Sequence, residues 1–213
     1  MRTIKKGREP PSLREHRNSG GRYETYTRTD DVRDALLRDQ GHICCYCMRR
    51  IALRSMKIEH WASQSEHADS TVDWTNLLGA CPGGAGEPRA KQHCDTYRGK
   101  TPLTVNPLDR SQQCERLIRY LSNGEMRSQD RAIQRDIHET LNLNNEQLQR
   151  NRGAVLSALL DRLKRVEPRP GPWPSDMLER ELEAWRRPNK EGQLREYCQV
   201  AIYLLEKKLK RKA

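Results

Sequence analysis

The chain has 213 residues, a net charge of +11 and an isoelectric point near 9.5. Hydrophobic residues make up 34% of it, phenylalanine is absent and the mean hydropathy is -1.02, so we expect no large apolar core. No segment approaches the roughly 20 apolar residues of a membrane helix, and the first residues lack the apolar core of a signal peptide. These features argue against a membrane protein and predict a cytoplasmic protein that binds a polyanion such as nucleic acid.

Two segments precede the first cysteine. Residues 1–28 combine many arginine and lysine residues with proline and glycine, which predicts an extended basic arm that becomes ordered on a partner. Residues 29–40 predict a helix that Thr29 caps and Gly41 ends. Its apolar residues recur at helical spacing and would form an inward face.

A cysteine pattern follows this helix and predicts a structural zinc site. The predicted ligands are Cys44, Cys47, Cys81 and Cys94. The first pair forms a knuckle (residues 44–47) whose two-residue spacing lets both thiolates reach one zinc ion, and the second pair can complete a tetrahedron. Twelve residues separate the second pair, where a standard zinc ribbon has two, but the segment 82–88 is rich in glycine and proline and can loop out.

Two other uses of these cysteines are a disulfide pair and a redox dithiol. Seven cysteines are an odd number, and the lack of a signal peptide favours a reducing compartment, so disulfides are disfavoured. No strand-helix-strand pattern surrounds the knuckle to support a redox motif. Cys45 and His93 are adjacent ligands that could replace a neighbour, whereas Cys114 and Cys198 are expected to be ordinary buried thiols.

Acidic residues and a histidine between the cysteine pairs predict a second, catalytic metal. A strand over residues 51–58 would deliver Glu59 and His60 at its end, and Asp95 would lie in the first turn of a short helix that opens at Cys94. Phosphodiester hydrolysis needs a base for water and a divalent cation for the developing charge. An imidazole with a pKa of about 6.5 suits the first task, and two carboxylates suit magnesium or manganese.

Asn76 lies between these groups along the chain. An amide side chain cannot act as an acid or a base. We therefore expect Asn76 to hold either the loop or the His60 ring in place through hydrogen bonds.

These residues resemble the HNH endonuclease family, whose zinc-containing members place a knuckle before a ββα-metal finger. The matching motifs are Glu59-His60, residues 74–77, Cys94-Asp95 and Arg98-Gly99. The resemblance implies that His60 is the general base, Asn76 the middle asparagine and Asp95 the third position of the motif. Asp95 replaces the usual Asn or His there, and its carboxylate should bind magnesium at least as well.

Further matches extend the resemblance over most of residues 1–152, to the PtuB-type subfamily. They are residues 1–7 with Pro10-Pro11, the Gly83-Gly84 pair, residues 105–108, Arg119-Tyr120 with Asn123-Gly124, and residues 141–144 with Leu148 and Arg152. Members of that subfamily are typically encoded beside an ATPase and serve in prokaryotic antiphage defence of the Septu kind, some with retrons. The resemblance implies a neighbouring-gene ATPase of the PtuA type as a partner.

The second half of the chain is predicted to be mainly helical. Helices are expected over residues 145–166, 176–185 and 193–209, with a turn at Asn123-Gly124 and a proline-rich linker over residues 168–174. The C-terminal helices would either support the finger or dock a partner, and the basic run 207–212 would be a nucleic-acid contact or a solvated helix end.

The predicted fold is therefore α+β: a mainly helical protein that contains a zinc-stapled ββα-metal (HNH) finger. Its regions would be the basic arm 1–28, a nuclease core 29–110, a helical region 111–167 and a C-terminal helical region 175–213.

Three functions compete on these grounds. The first is a magnesium- or manganese-dependent endonuclease on DNA, for which the family mechanism implies 5′-phosphate and 3′-hydroxyl ends. The second is the same chemistry on structured RNA or tRNA. The third is a zinc-finger adaptor that binds nucleic acid or an ATPase without cutting, in which Glu59, His60 and Asp95 would share no metal.

Overall fold

A computed structural model describes residues 1–63 and 71–210 and has the predicted α+β class. Its helices are α1 (Pro11–Asn18), α2 (Thr29–Gln40), α3 (Cys94–Arg98), α4 (Cys114–Leu117), α5 (Arg131–Arg135), α6 (Glu146–Val166), α7 (Ser175–Arg186) and α8 (Cys198–Lys210). A π-helical turn, Asp136–Thr140, continues α5. Within the described residues, no helix has the length and apolar character that a membrane crossing requires.

Two small antiparallel sheets complete the fold. Strand β1 (Lys57–His60) pairs with β2 (Leu77–Ala80), so that Glu59 lies opposite Leu78 and His60 opposite Leu77. Strands β3 (Arg119–Tyr120) and β4 (Met126–Arg127) form a hairpin around the predicted turn. Gly124 has φ 83° there, and a Cβ atom at this position would lie 2.1 Å from the Gln149 carbonyl oxygen, so the turn requires glycine.

Helix α2 matches its predicted limits, and its position fixes the start of the knuckle. Val32, Leu36 and Leu37 are buried on its inward face. Gly41 ends the helix in the left-handed conformation, with φ 61°. The expected cap by Thr29 was wrong, because Thr29 is the first helical residue and Arg28 precedes it without a side-chain cap.

The prediction of an extended arm over residues 1–28 was also wrong. This segment contains α1 and a 3-10 turn, Tyr23–Thr25. Met1, Ile4 and Leu13 are buried in the hydrophobic core. These scattered apolar side chains are buried in the core, whereas many of the charged residues between them remain at the surface. The high charge therefore does not keep the segment extended.

The first strand is shorter and later than the predicted 51–58. Residues Leu53–Ser55 form a 3-10 turn, and β1 begins only at Lys57. Ile51 hydrogen-bonds its backbone N–H to the His42 carbonyl (3.0 Å), which ties it to the knuckle and not to the sheet. Because β2 has four residues, only residues 57–60 find a partner strand.

The C-terminal region packs against the knuckle. Helix α6 lies within its predicted limits, and the Asn145 side chain accepts a hydrogen bond from the Leu148 N–H as its N-cap. Helix α8 begins at Cys198, five residues later than predicted, because the preceding segment pairs with the knuckle region instead. The Leu194 N–H donates to the Gly41 carbonyl (3.0 Å), and the Tyr197 N–H donates to the Met48 carbonyl (3.1 Å).

Candidate metal centre and catalytic cleft

Four buried thiols meet at one point and can bind a metal such as zinc. The Sγ atoms of Cys44, Cys47, Cys81 and Cys94 all lie within 4.8 Å of one another. Three of the separations are 3.9 Å (Cys44 to Cys94), 3.7 Å (Cys47 to Cys81) and 3.9 Å (Cys81 to Cys94). A zinc ion with bonds of about 2.3 Å gives a tetrahedron whose edges are about 3.8 Å. Disulfide sulfurs would be only about 2 Å apart, so the cluster has the spacing of ligands.

Backbone turns hold the two pairs in place. The Met48 N–H donates to the Cys44 carbonyl (3.0 Å) and closes the knuckle, while the second pair lies just after β2 and at the start of α3. The twelve-residue insert is folded back by Gly83, whose carbonyl accepts from the His93 N–H at 2.9 Å. Gly83 has φ 60°, and a Cβ atom would lie 2.2 Å from the His93 carbonyl oxygen. Glycine is therefore required where the insert closes.

The two alternative ligands lie beside the cluster. His93 Nδ1 is 3.1 Å from the Cys94 Sγ and 4.0 Å from the Cys81 Sγ. Burial and then the neighbouring Cys44 raise the pKa of the Cys45 thiol well above its ordinary value. Among the described residues, the thiols that converge are the four that the sequence predicted. Cys114 and Cys198 are fully buried elsewhere in the core, as expected.

A solvent-open cleft of about 260 Å³ lies beside the thiol cluster, at the ends of β1 and α3. We call it the acidic cleft; Glu59, His60, Asp95 and Lys100 are among its lining residues. The structure thus brings together three of the four predicted catalytic residues. The fourth, Asn76, does not line the cleft.

Glu59 is a buried carboxyl group with several partners. Its Oε1 accepts hydrogen bonds from the Tyr46 hydroxyl (2.7 Å) and from the Arg98 guanidinium. The Asp95 carboxyl group lines the same cleft. Burial, followed by the nearby Asp95, raises the pKa of Glu59 to about 8, although Arg98 and Tyr46 act in the opposite direction. Two neighbouring carboxyl groups are an arrangement that a divalent cation would stabilise.

Asp95 is the more exposed member of this pair, with 23% of its side chain accessible. Its Oδ2 lies 3.3 Å from the Lys57 Nζ, which also donates to the Thr96 hydroxyl at 2.7 Å. Because Lys57 belongs to β1 and Asp95 to α3, this ion pair connects the strand to the helix.

The His60 ring has a defined tautomer. Its Nε2 lies 2.9 Å from the Thr71 carbonyl oxygen, which can only accept, so Nε2 carries the proton and the neutral ring has its lone pair on Nδ1. Burial lowers the pKa of His60 below the ordinary 6.5. The Tyr23 ring packs edge-on against the imidazole, with centroids 4.6 Å apart. The imidazole is therefore oriented and neutral near pH 7.

Asn76 holds the segment that follows β1. Its Oδ1 accepts from the Ala62 N–H (2.7 Å), and its Nδ2 donates to the Ala62 carbonyl (3.1 Å). These two bonds fix the backbone two residues after His60, which is one of the two tasks expected of Asn76.

Arg98 and Tyr46 are site residues to which sequence reasoning gave no role. Arg98 is 4% exposed and donates to the His60 carbonyl (3.1 Å), the Trp61 carbonyl (2.7 Å) and Glu59. It thereby connects α3 to the end of β1. The basic-glycine pair at the end of α3 pointed to Arg98 as part of a motif, whereas the position of Tyr46 inside the knuckle gave no signal.

No protein-family model matches the chain, and no curated protein matches it.

Proposed function

We propose that this chain is a metal-dependent HNH endonuclease that hydrolyses phosphodiester bonds of DNA. The observation that carries the proposal is the acidic cleft, where a neutral, oriented imidazole and two carboxyl groups line the same cavity. The zinc would be structural, held by the four cysteines. Magnesium or manganese would be held by Glu59 and Asp95, with water and a phosphate oxygen as further ligands.

The proposed reaction assigns one task to each residue. His60 Nδ1 takes a proton from water, the water oxygen attacks phosphorus, and the bond to the 3′ oxygen breaks. The leaving 3′ oxygen takes a proton from solvent, which gives 5′-phosphate and 3′-hydroxyl ends. A bound cation would supply charge neutralisation at the phosphate and the leaving oxygen. Asn76 and Arg98 are positioning residues, because they hold the backbone at His60 and in the two residues that follow it. Lys100, at the edge of the cleft, would contact a phosphate.

The biological setting is proposed on the subfamily resemblance alone. A neighbouring-gene ATPase of the PtuA type would be the partner, and antiphage defence the process. A net charge of +11 supports a nucleic-acid substrate without distinguishing DNA from RNA.

Cleavage assays test the proposal directly. Wild-type protein, His60→Ala and a control, His138→Ala, are incubated with plasmid DNA and separately with total tRNA, each with and without magnesium or manganese, and with the neighbouring ATPase where one is encoded. We expect metal-dependent cutting of DNA that His60→Ala loses by about 100-fold or more, as for loss of a general base, and that His138→Ala retains.

Other results would change the assignment. If only tRNA is cut, the substrate is RNA and the same reaction is assigned to it. A loss of nucleic-acid affinity in His60→Ala as large as the loss of cutting would remove the general-base role. No cutting in any combination would favour the zinc-finger adaptor.

A further inference from the structure

A second and larger cavity lies on the molecule, and its lining shares no residue with the acidic cleft. It has a volume of about 1490 Å³. One wall is the C-terminal half of α8, and the other is the segment 110–119, which includes α4. We call it the basic groove.

Six exposed cationic side chains line the basic groove. They are Arg110, Arg116, Arg119, Arg186, Lys207 and Lys210. Two carboxylates also line it, and both are already engaged. Glu115 accepts from the Thr3 N–H (2.8 Å) and the Thr3 hydroxyl (2.6 Å), while Glu206 pairs with Arg186 at 2.7 Å.

The other five cations form no ion pair with a carboxylate in the part of the chain that the structure describes. Burying or crowding like charges is unfavourable unless a counter-charge is present. A groove with this charge is therefore suited to an anionic ligand.

The α8 wall is firmly positioned. Tyr203, Lys207 and Lys210 recur at intervals of four and three residues, so they share one face of the helix. The Tyr203 ring packs edge-on against Tyr120, with centroids 5.7 Å apart, and Lys207 Nζ lies 5.9 Å from the same Tyr203 ring. The half-buried Tyr203 places an aromatic surface among the cations, a combination that nucleic-acid grooves use.

We propose that the basic groove binds the phosphodiester backbone of a nucleic-acid strand. Identifying that strand with the one that is cut rests on the proposed function, whereas the binding itself does not. An acidic protein segment is the weaker candidate, because the cores of protein interfaces are depleted in charged residues, and only Ile118, Tyr203 and Leu209 give this groove apolar or aromatic surface. Arginine, the commonest cation here, matches phosphate with a planar fork of donors.

The test measures binding separately from cutting. The variant Arg116→Ala/Arg119→Ala/Lys207→Ala is made in the His60→Ala background and compared with Lys164→Ala/Arg165→Ala/Lys190→Ala, which removes the same charge from exposed positions outside the groove. Fluorescence anisotropy follows single-stranded DNA, duplex DNA and RNA of one sequence at several salt concentrations, and polyglutamate of similar length serves as an acidic-peptide probe. Circular dichroism checks that every variant is folded.

We expect the groove variant to lose at least ~10-fold in affinity and to flatten the slope of log K against log salt by about 2 to 3, because each phosphate contact adds about 0.7 to 0.9 to that slope. The affinity and the salt slope of the control variant should remain near those of the His60→Ala parent. The polymer whose affinity falls most in the groove variant is identified as the strand that the groove binds. Equal losses in both variants, unchanged binding in the groove variant, or a preference for polyglutamate would each overturn the proposal. Groove-dependent binding, together with no cutting by the wild-type protein in the cleavage assays, would refute the nuclease and leave the groove assignment intact.

Discussion

At the scale of single residues, Glu59 determines how the acidic cleft responds to pH. A carboxyl group with a pKa of about 8 carries its proton at pH 7 when no cation is bound. A metal ligand must be the carboxylate, so a cation and this proton compete for the same group. Because the pKa in the folded state exceeds the ordinary 4.5, the metal-free protein should also lose stability as pH rises from about 4.5 towards 8.

Manganese affinity should therefore rise with pH and level off above about pH 8, and binding at pH 7 should release close to one proton. Isothermal titration of zinc-loaded protein in two buffers with different ionisation enthalpies measures both quantities. Asp95→Ala should abolish this site. An affinity that does not change between pH 6 and pH 8 would mean that Glu59 is not a ligand.

At the scale of elements, the thiol cluster joins three separate segments at one point. The knuckle follows α2, Cys81 follows β2 and Cys94 begins α3. Strands β1 and β2 have only four residues each, and a two-stranded sheet of this size is marginal in water without further support. A metal held by all three segments would provide that support.

Replacing Cys44 with Ser should lower the melting temperature sharply and remove zinc, because structural zinc contributes on the order of 10 kcal/mol in small modules. Cys45→Ser is the matched control, since Cys45 is an adjacent, buried thiol outside the cluster. Cys45→Ser should retain zinc and should lower the melting temperature far less than Cys44→Ser does. Thermal unfolding and metal analysis provide the two measurements. An unchanged melting curve for Cys44→Ser would show that the four-cysteine site does not stabilise the fold.

The elements that sequence alone predicted are those with local signals. Helices α2 and α6 have apolar residues at helical spacing and end signals, Gly41 for the first and Asn145 for the second. The four thiols were predicted from their spacing and from glycines in the insert. The acidic pair and His60 followed from motif order, since neighbouring elements place their ends together.

The features that sequence did not predict depend on distant partners. The limits of β1 are set by β2, and the start of α8 is set by hydrogen bonds to Gly41 and Met48. The burial of Met1 and Ile4 has no periodic signal. The Arg98 contacts to the end of β1 join residues 37 to 39 positions apart, so no local pattern could reveal them. The basic groove likewise forms only when residues 110–119 and α8 meet in space.

At the scale of the whole molecule, the C-terminal region is an integral part of the fold. The Arg50 N–H donates to Glu196 at 2.7 Å, and its guanidinium donates to the Leu194 carbonyl at 2.5 Å. Val200, Ala201 and Leu205 of α8 are fully buried. Of the two roles foreseen for the C-terminal helices, these contacts support the structural one.

A chain shortened to residues 1–167 should therefore lose cooperative unfolding and most of its zinc, because it exposes the apolar surface that α8 covers. Pro170→Gly/Pro172→Gly in the full chain is the control, since both prolines are exposed in the segment between α6 and α7. Circular dichroism melts and zinc analysis compare the two. A shortened chain that melts like the full one would instead indicate a docking role.

The contacts between residue 50 and residues 194–196 also set an order in time. The two ends of the Arg50 to Leu194 hydrogen bond are 144 residues apart, so at about 5 to 20 residues per second a ribosome needs roughly 7 to 30 s between them. Cys44, Cys47, Cys81 and Cys94 would all have emerged earlier, and they could gather a metal while Gly41 and Met48 still lack their later partners. The knuckle is thus begun early in synthesis and completed only after residues 194–197 have been made.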